Sequence, residues 1–159
     1  MGLRFPDQTY GDCFFITTTF REWQRLGDLP GFYGQMAESL HFCLNKYEAQ
    51  LAGYVFMPSH LHLVLFIVGN RLSDFMRDFK KYVSQKVAVD RGMTAGIWMP
   101  RYDRVVISSE KVMRTKLEYM HQNPVGAGLI AAAIEWNWSS AGDYLTDKPG
   151  LLPIWKSWA

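Results

Sequence analysis

The chain has 159 residues, 48% hydrophobic and 20% charged, the balance of one folded globular domain over residues 1–159 rather than of a disordered segment. A net charge of +2 and a pI near 8.5 permit an anionic partner without requiring one. The longest apolar run, around Leu61 to Val68, is broken by His62 and is far too short for a membrane span of roughly 20 residues.

Cys13 and Cys43 form no CxxC pair, and the N-terminus lacks a charged start followed by an apolar stretch, so a reducing cytoplasm is the expected location. Both thiols read as small hydrophobes.

In chain order, Met1 to Asp12 reads as irregular. Cys13 to Phe20 is β-branched and aromatic and predicts a first strand. Arg21 to Leu29 reads as a loop, and Phe32 to Tyr47 carries Met36, Leu40, Cys43 and Leu44 at helical spacing. Ala49 to Met57 and His60 to Val68 predict two strands joined by Pro58-Ser59 as an antiparallel hairpin. Side chains alternate along a strand, so His60 and His62 share one face while Leu61, Leu63 and Leu65 take the other.

Gly69-Asn70 breaks that strand. Leu72 to Val89 then predicts a second helix that buries Leu72, Phe75, Phe79, Tyr82 and Val83 and ends over Gly92 to Gly96. A fourth strand follows over Tyr102 to Ile107. Ser108 or Ser109 caps a third helix, with Glu110 in its first turn, and Pro124 is expected to stop it near Asn123. The order predicts an α+β fold, a ferredoxin-like βαββαβ sandwich whose four-stranded antiparallel sheet is covered by helices on one face. The histidine strand is central and a helical addition follows at the C-terminus.

Two stretches carry chemistry. Neutral imidazoles at the His60-Leu61-His62 spacing can share a divalent ion and leave coordination positions open, although such a pair also suits half-buried polar groups with backbone partners. In Leu117 to Pro124, Tyr119 and Asn123 lie four apart on one helix face while Leu117 and Met120 turn inward. This face offers a nucleophile and a third ligand, although for an arbitrary helix a rim tyrosine and a C-terminal cap are by far the commoner reading.

Taken together, Met57-Pro58-Ser59-His60-Leu61-His62-Leu63 and Tyr119-Met120-His121-Gln122-Asn123-Pro124-Val125-Gly126-Ala127-Gly128-Leu129 resemble the REP-associated tyrosine transposases. These belong to the single-tyrosine nucleases named for a His-hydrophobic-His motif. Trp98 to Ile107, the Thr-rich first strand and Trp136-Asn137-Trp138-Ser139-Ser140-Ala141 extend the resemblance over nearly the whole chain.

The resemblance implies a metal-dependent endonuclease and strand transferase for single-stranded DNA with hairpins. By position, Tyr119 is the nucleophile that forms a 5′-phosphotyrosine and frees a 3′-hydroxyl. His60, His62 and Asn123 are the ligands of Mg²⁺ or Mn²⁺, with Gln122 a weaker candidate and His121 assigned no ligand role. A free phenol ionises near pH 10 and needs such help. The imidazole and amide ligands are neutral and leave the ion's charge for the phosphate.

Arg77, Lys80, Lys81 and Lys86, with Arg101 and Arg104, are candidate phosphate contacts or a solvated face. Among Trp98, Tyr102, Trp136 and Trp138, exposed members would stack on bases, and at least two are expected in the core. Ser59 stands where the family commonly has Asn, and Gly126 where it commonly has a basic residue. Competing readings are a catalytically silent hairpin-binding module and a phosphoesterase that uses metal-activated water. Monomer and homodimer both fit, since relatives include dimers in which the tyrosine helix serves the partner's histidines.

Overall fold

The computed structural model describes residues 12–92 and 96–158. The irregular stretch expected before Asp12 and the middle of the Gly92–Gly96 stop lie outside them. Four strands, β1 (Cys13–Thr19), β2 (Gln50–Phe56), β3 (His60–Phe66) and β4 (Asp103–Val106), form one sheet in the order β2-β3-β1-β4. Each neighbouring pair is antiparallel, which is the predicted ferredoxin-like arrangement with the histidine strand inside. Met57 N–H donates to the His60 carbonyl at 2.8 Å and closes the hairpin over Pro58-Ser59.

Helix α1 (Phe32–Lys46) and helix α2 (Leu72–Arg91) cover one face of the sheet. α1 contributes Phe32, Met36, Leu40 and Cys43, and α2 contributes Leu72, Phe75, Phe79, Val83 and Val87. They close on Phe14, Ile16, Leu61, Leu63 and Leu65 in one buried cluster. Gly92, in the left-handed region at φ 64°, ends α2.

Helix α3 (Glu110–Gly126) lies on the opposite face, which corrects the expectation of helices on one side only. β1, β2 and β3 are apolar on both faces, so each face must be covered. Met113, Leu117 and Met120 of α3 bury against Cys13, Phe15, Ala52, Val55, Val64 and Phe66. Contact is closest over Gly53, where an added Cβ would lie 2.5 Å from Leu117 Cδ2 and 2.8 Å from Met120 Cε.

The cap of α3 is Ser109, the second of the two expected serines, its Oγ accepting from Val112 N–H at 3.2 Å. Two further details differ from expectation. α3 does not stop at Asn123. It runs through a buried Pro124 to Gly126, because the bonds from Ala127 N–H to the Asn123 carbonyl and from Leu129 N–H to the Pro124 carbonyl carry the backbone past the ring. The Arg21 to Leu29 loop contains two short 3-10 turns, Arg21–Trp23 and Leu26–Asp28.

The C-terminal addition is helical over α4 (Ala141–Leu145), and its flanking segments cover the β2 edge. Phe56 N–H donates to the Trp138 carbonyl, Ser140 N–H to Tyr54 and Trp155 N–H to Leu51, each at 2.8–2.9 Å. Among the described residues no helix is long and apolar enough to cross a membrane.

Candidate active site

The site is built where the start of β3 meets α3. Strand alternation puts His60 and His62 on the α3 face, with ring centroids 5.0 Å apart at 78°. Register pairs Thr17 with His62 and Thr19 with His60 across β1 and β3. Thr17 Oγ1 lies 2.8 Å from His62 Nδ1, and Ser59 Oγ lies 3.1 Å from His60 Nδ1. Each ring is thus held at Nδ1. With Nδ1–H donating to its hydroxyl, the Nε2 lone pair is left free.

His62 Nε2 is buried and has no hydrogen-bond partner among the described residues. A buried orphan nitrogen is costly unless something takes its lone pair. Burial, helped by His60 and by Lys116, holds the His62 ring down to about 3, and burial also lowers His60. Both imidazoles are neutral at pH 7, the form that binds a metal. The donor set fits a divalent ion. Among the described residues no cluster of three His, Cys, Asp or Glu exists, and the half-buried Asn123 is the candidate third ligand among them.

α3 presents one stripe to this face: Lys116, Tyr119 and Asn123, at spacings of three and four. The Tyr119 ring lies 5.5 Å from the His62 ring at 68°, and 6.1 Å from Phe15, which stacks on His62 at 5.1 Å. Tyr119 is 55% exposed. Neither its hydroxyl nor the half-buried Asn123 carboxamide bonds to another described side chain. The site is therefore an open shelf, as suits a polymer. Gln122 lies on another side of α3 with His121, Tyr144 and Trp158. His121 is buried, with Nε2 2.8 Å from Ser140 Oγ, away from any ligand role.

Sequence reasoning missed Thr17, Lys116 and Trp23. The Lys116 Nζ sits 4.8 Å over the Phe15 ring and makes no ion pair with any described residue. Its signal was the spacing from Tyr119. Thr17 becomes visible only once β1 and β3 are in register. Trp23 lies 6.3 Å from the His60 ring, and it was a lone aromatic in the polar run Arg21-Glu22-Trp23-Gln24-Arg25.

The predicted phosphate contacts on α2 are not brought to this shelf. Arg77, Lys80, Lys81 and Lys86 ride on α2, on the other face of the sheet. Arg77 is paired with Asp74 and Asp78, Lys86 with Glu38, and the Lys80 Nζ donates to the Met99 carbonyl at 3.0 Å. Arg104 lies over Phe14 on that same face, and Arg101 is exposed. Trp98 is core, its Nε1 donating to the Lys80 carbonyl. Trp136 and Trp138 are half-buried against Tyr33, and Tyr102 is half-buried against the α1 and α2 core.

No family model matches the chain. A curated Haemophilus influenzae protein named as a REP-associated tyrosine transposase is 20% identical over 145 residues, covering 84% of this chain and 82% of that protein. The structure of a REP-associated tyrosine transposase bound to a REP hairpin superposes with a TM-score of 0.74 at 20% identity, over 100% of this chain and 98% of that one. A Deinococcus radiodurans protein described as a transposase superposes at 0.52 with 14% identity, over 69% and 88%. Sequence and fold likeness both support the family to which the motifs pointed.

Proposed function

We propose that this chain works as the REP-associated tyrosine transposases it resembles, cutting and rejoining single-stranded DNA that carries hairpins. The observation that carries the reading is the 5.5 Å approach of the Tyr119 and His62 rings within one chain. It supports a nucleophile and a metal site assembled without a partner subunit.

Tyr119 Oη attacks the phosphorus of a phosphodiester. The Oη–P bond forms as the P–O3′ bond breaks, the phenol gives up its proton, and the departing 3′-oxygen takes one. No water is consumed, and the phosphotyrosine keeps the bond available for rejoining by a 3′-hydroxyl. His60 and His62, with Asn123, would hold Mg²⁺ or Mn²⁺, which when bound would supply Lewis-acid polarisation of the phosphate. Thr17 and Ser59 fix the imidazoles. Lys116, one turn before Tyr119, places a positive charge beside the phosphate and offsets the charge that develops there.

The test is a denaturing gel of labelled single-stranded hairpin DNA from the flanks of the protein's own gene, with Mg²⁺ or Mn²⁺, for wild type and Tyr119→Phe. A covalent adduct requiring both metal and Tyr119 is expected. Cleavage that persists in Tyr119→Phe would instead favour a phosphoesterase using water, and tight binding with no cleavage a catalytically silent module.

A further inference from the structure

Trp23 is placed as a side chain waiting for a partner. It is 63% exposed, an unusual position for the largest aromatic, which gains most from burial. Its backbone is also in an unfavourable region. Trp23 has φ 56° and the preceding Glu22 has φ 55°, both in the left-handed region that bulky residues avoid.

Surrounding bonds impose this conformation. Phe20 N–H donates to the Ser59 carbonyl at 3.0 Å, Arg21 N–H to Ile97 at 2.8 Å, Trp23 N–H to Phe20 at 3.0 Å and Gly27 N–H to Pro58 at 2.9 Å. The turn is thereby fastened to the hairpin corner that carries His60. The Trp23 ring meets His60 edge-to-face, 6.3 Å between centroids at 70°, which leaves indole surface open to solvent. Arg21, two residues earlier, is exposed and makes no ion pair with a described residue.

We infer that Trp23 is a stacking platform for one unpaired nucleobase next to the scissile phosphate. This rests on the reading of the His60, His62 and Tyr119 shelf as a phosphodiester site. A nucleobase is the ligand class that fits. Every base offers a flat π-face, an indole stacks on it whatever the sequence, and a neighbouring arginine can pair with the backbone. A strand with its phosphate at Tyr119 would carry the adjacent nucleotide past His60, where the indole lies. Strain and exposed apolar surface, unrewarded in the free protein, are offset when the base arrives.

The experiment measures binding of a fluorescein-labelled DNA hairpin with unpaired tails, in EDTA so that nothing is cut, to wild type, Trp23→Ala and Trp23→Phe. Trp23→Ala should bind the tailed hairpin roughly 5- to 150-fold more weakly, the range for losing one stacked base. Trp23→Phe should stay within several-fold of wild type. A tailless hairpin should be indifferent to both changes. One abasic position in the tail should reproduce the loss in wild type and add nothing in Trp23→Ala.

Loss under twofold for Trp23→Ala, equal loss on tailless DNA, additive losses at every abasic position, or no tail binding by wild type would each overturn the platform. Trp23 is exposed, so the variants should melt with wild type. Covalent adduct formation is scored separately. An adduct in wild type together with tail binding that is indifferent to Trp23 keeps the nuclease and removes the platform. Trp23-dependent tail binding with no adduct does the reverse.

Discussion

Thr17 and His62 face each other across β1 and β3, with Oγ1 2.8 Å from Nδ1, and this contact holds the ring at Nδ1 with Nε2 left unbonded among the described residues. Thr17→Val keeps the shape and removes the partner. His62 can then rotate or change tautomer, and Mn²⁺ affinity should fall about 10- to 100-fold, the usual cost of losing an outer partner of a histidine ligand. Titration of Mn²⁺ followed by electron paramagnetic resonance reads this directly. Unchanged affinity would mean that Phe15 stacking alone orients the ring.

Lys116 supplies charge on the shelf, whereas the α2 cations anticipated from sequence sit on the far face. Lys116→Met should slow adduct formation at saturating DNA by about tenfold or more, with Lys116→Arg recovering most of the rate. In binding assays the methionine variant should lose about 0.7 from the slope of log K against log salt, one single-strand phosphate contact. An unchanged slope together with an unchanged rate would reduce Lys116 to a cover for Phe15.

Gly53 sets the distance between the sheet and the helix that bears Tyr119. An added methyl would meet Leu117 and Met120 well inside contact distance. Gly53→Ala should therefore cost about 1–3 kcal/mol, as overpacking does, measured by urea unfolding. Because relief requires α3 to shift, adduct formation should fall even where the variant remains fully folded. A folded variant with wild-type rates would show that the two side chains simply rotate away.

Most of the sheet was readable in advance, because β-branched and aromatic runs bounded by Pro, Gly and Asn carry their own period. That His60 and His62 share one face, and Tyr119 and Asn123 another, followed from local spacing, whereas their roles came from the resemblance of the two stretches taken together. The second covered face was less legible, since β1 and β3 are apolar on both sides and a continuous apolar run does not say where its covers come from. Pro124 misled because its steric rule is local, while burial and downstream hydrogen bonds decided the helix end. Thr17 and Trp23 depend on strand register and on bonds between distant turns, so neither could be reached from neighbours in the chain.

His121 gives the fold a dependence on acid. Burial holds its ring down to about 4, and its Nε2 lies 2.8 Å from Ser140 Oγ, which also accepts from Tyr54 N–H at 3.0 Å. The folded chain binds the proton more weakly than the unfolded chain, where a histidine titrates near 6.5. Below about 6.5 the unfolded state therefore takes up more protons, so stability present at neutral pH declines as pH falls toward 4. His62, held lower still by burial, acts in the same direction. Unfolding free energy measured in urea should fall steadily across this window. His121→Gln, which does not titrate, should show a shallower decline with a lower plateau at pH 7, because the tie between α3 and the segment covering β2 is weakened. An identical slope in the variant would assign the acid sensitivity to His62 and the carboxylates instead.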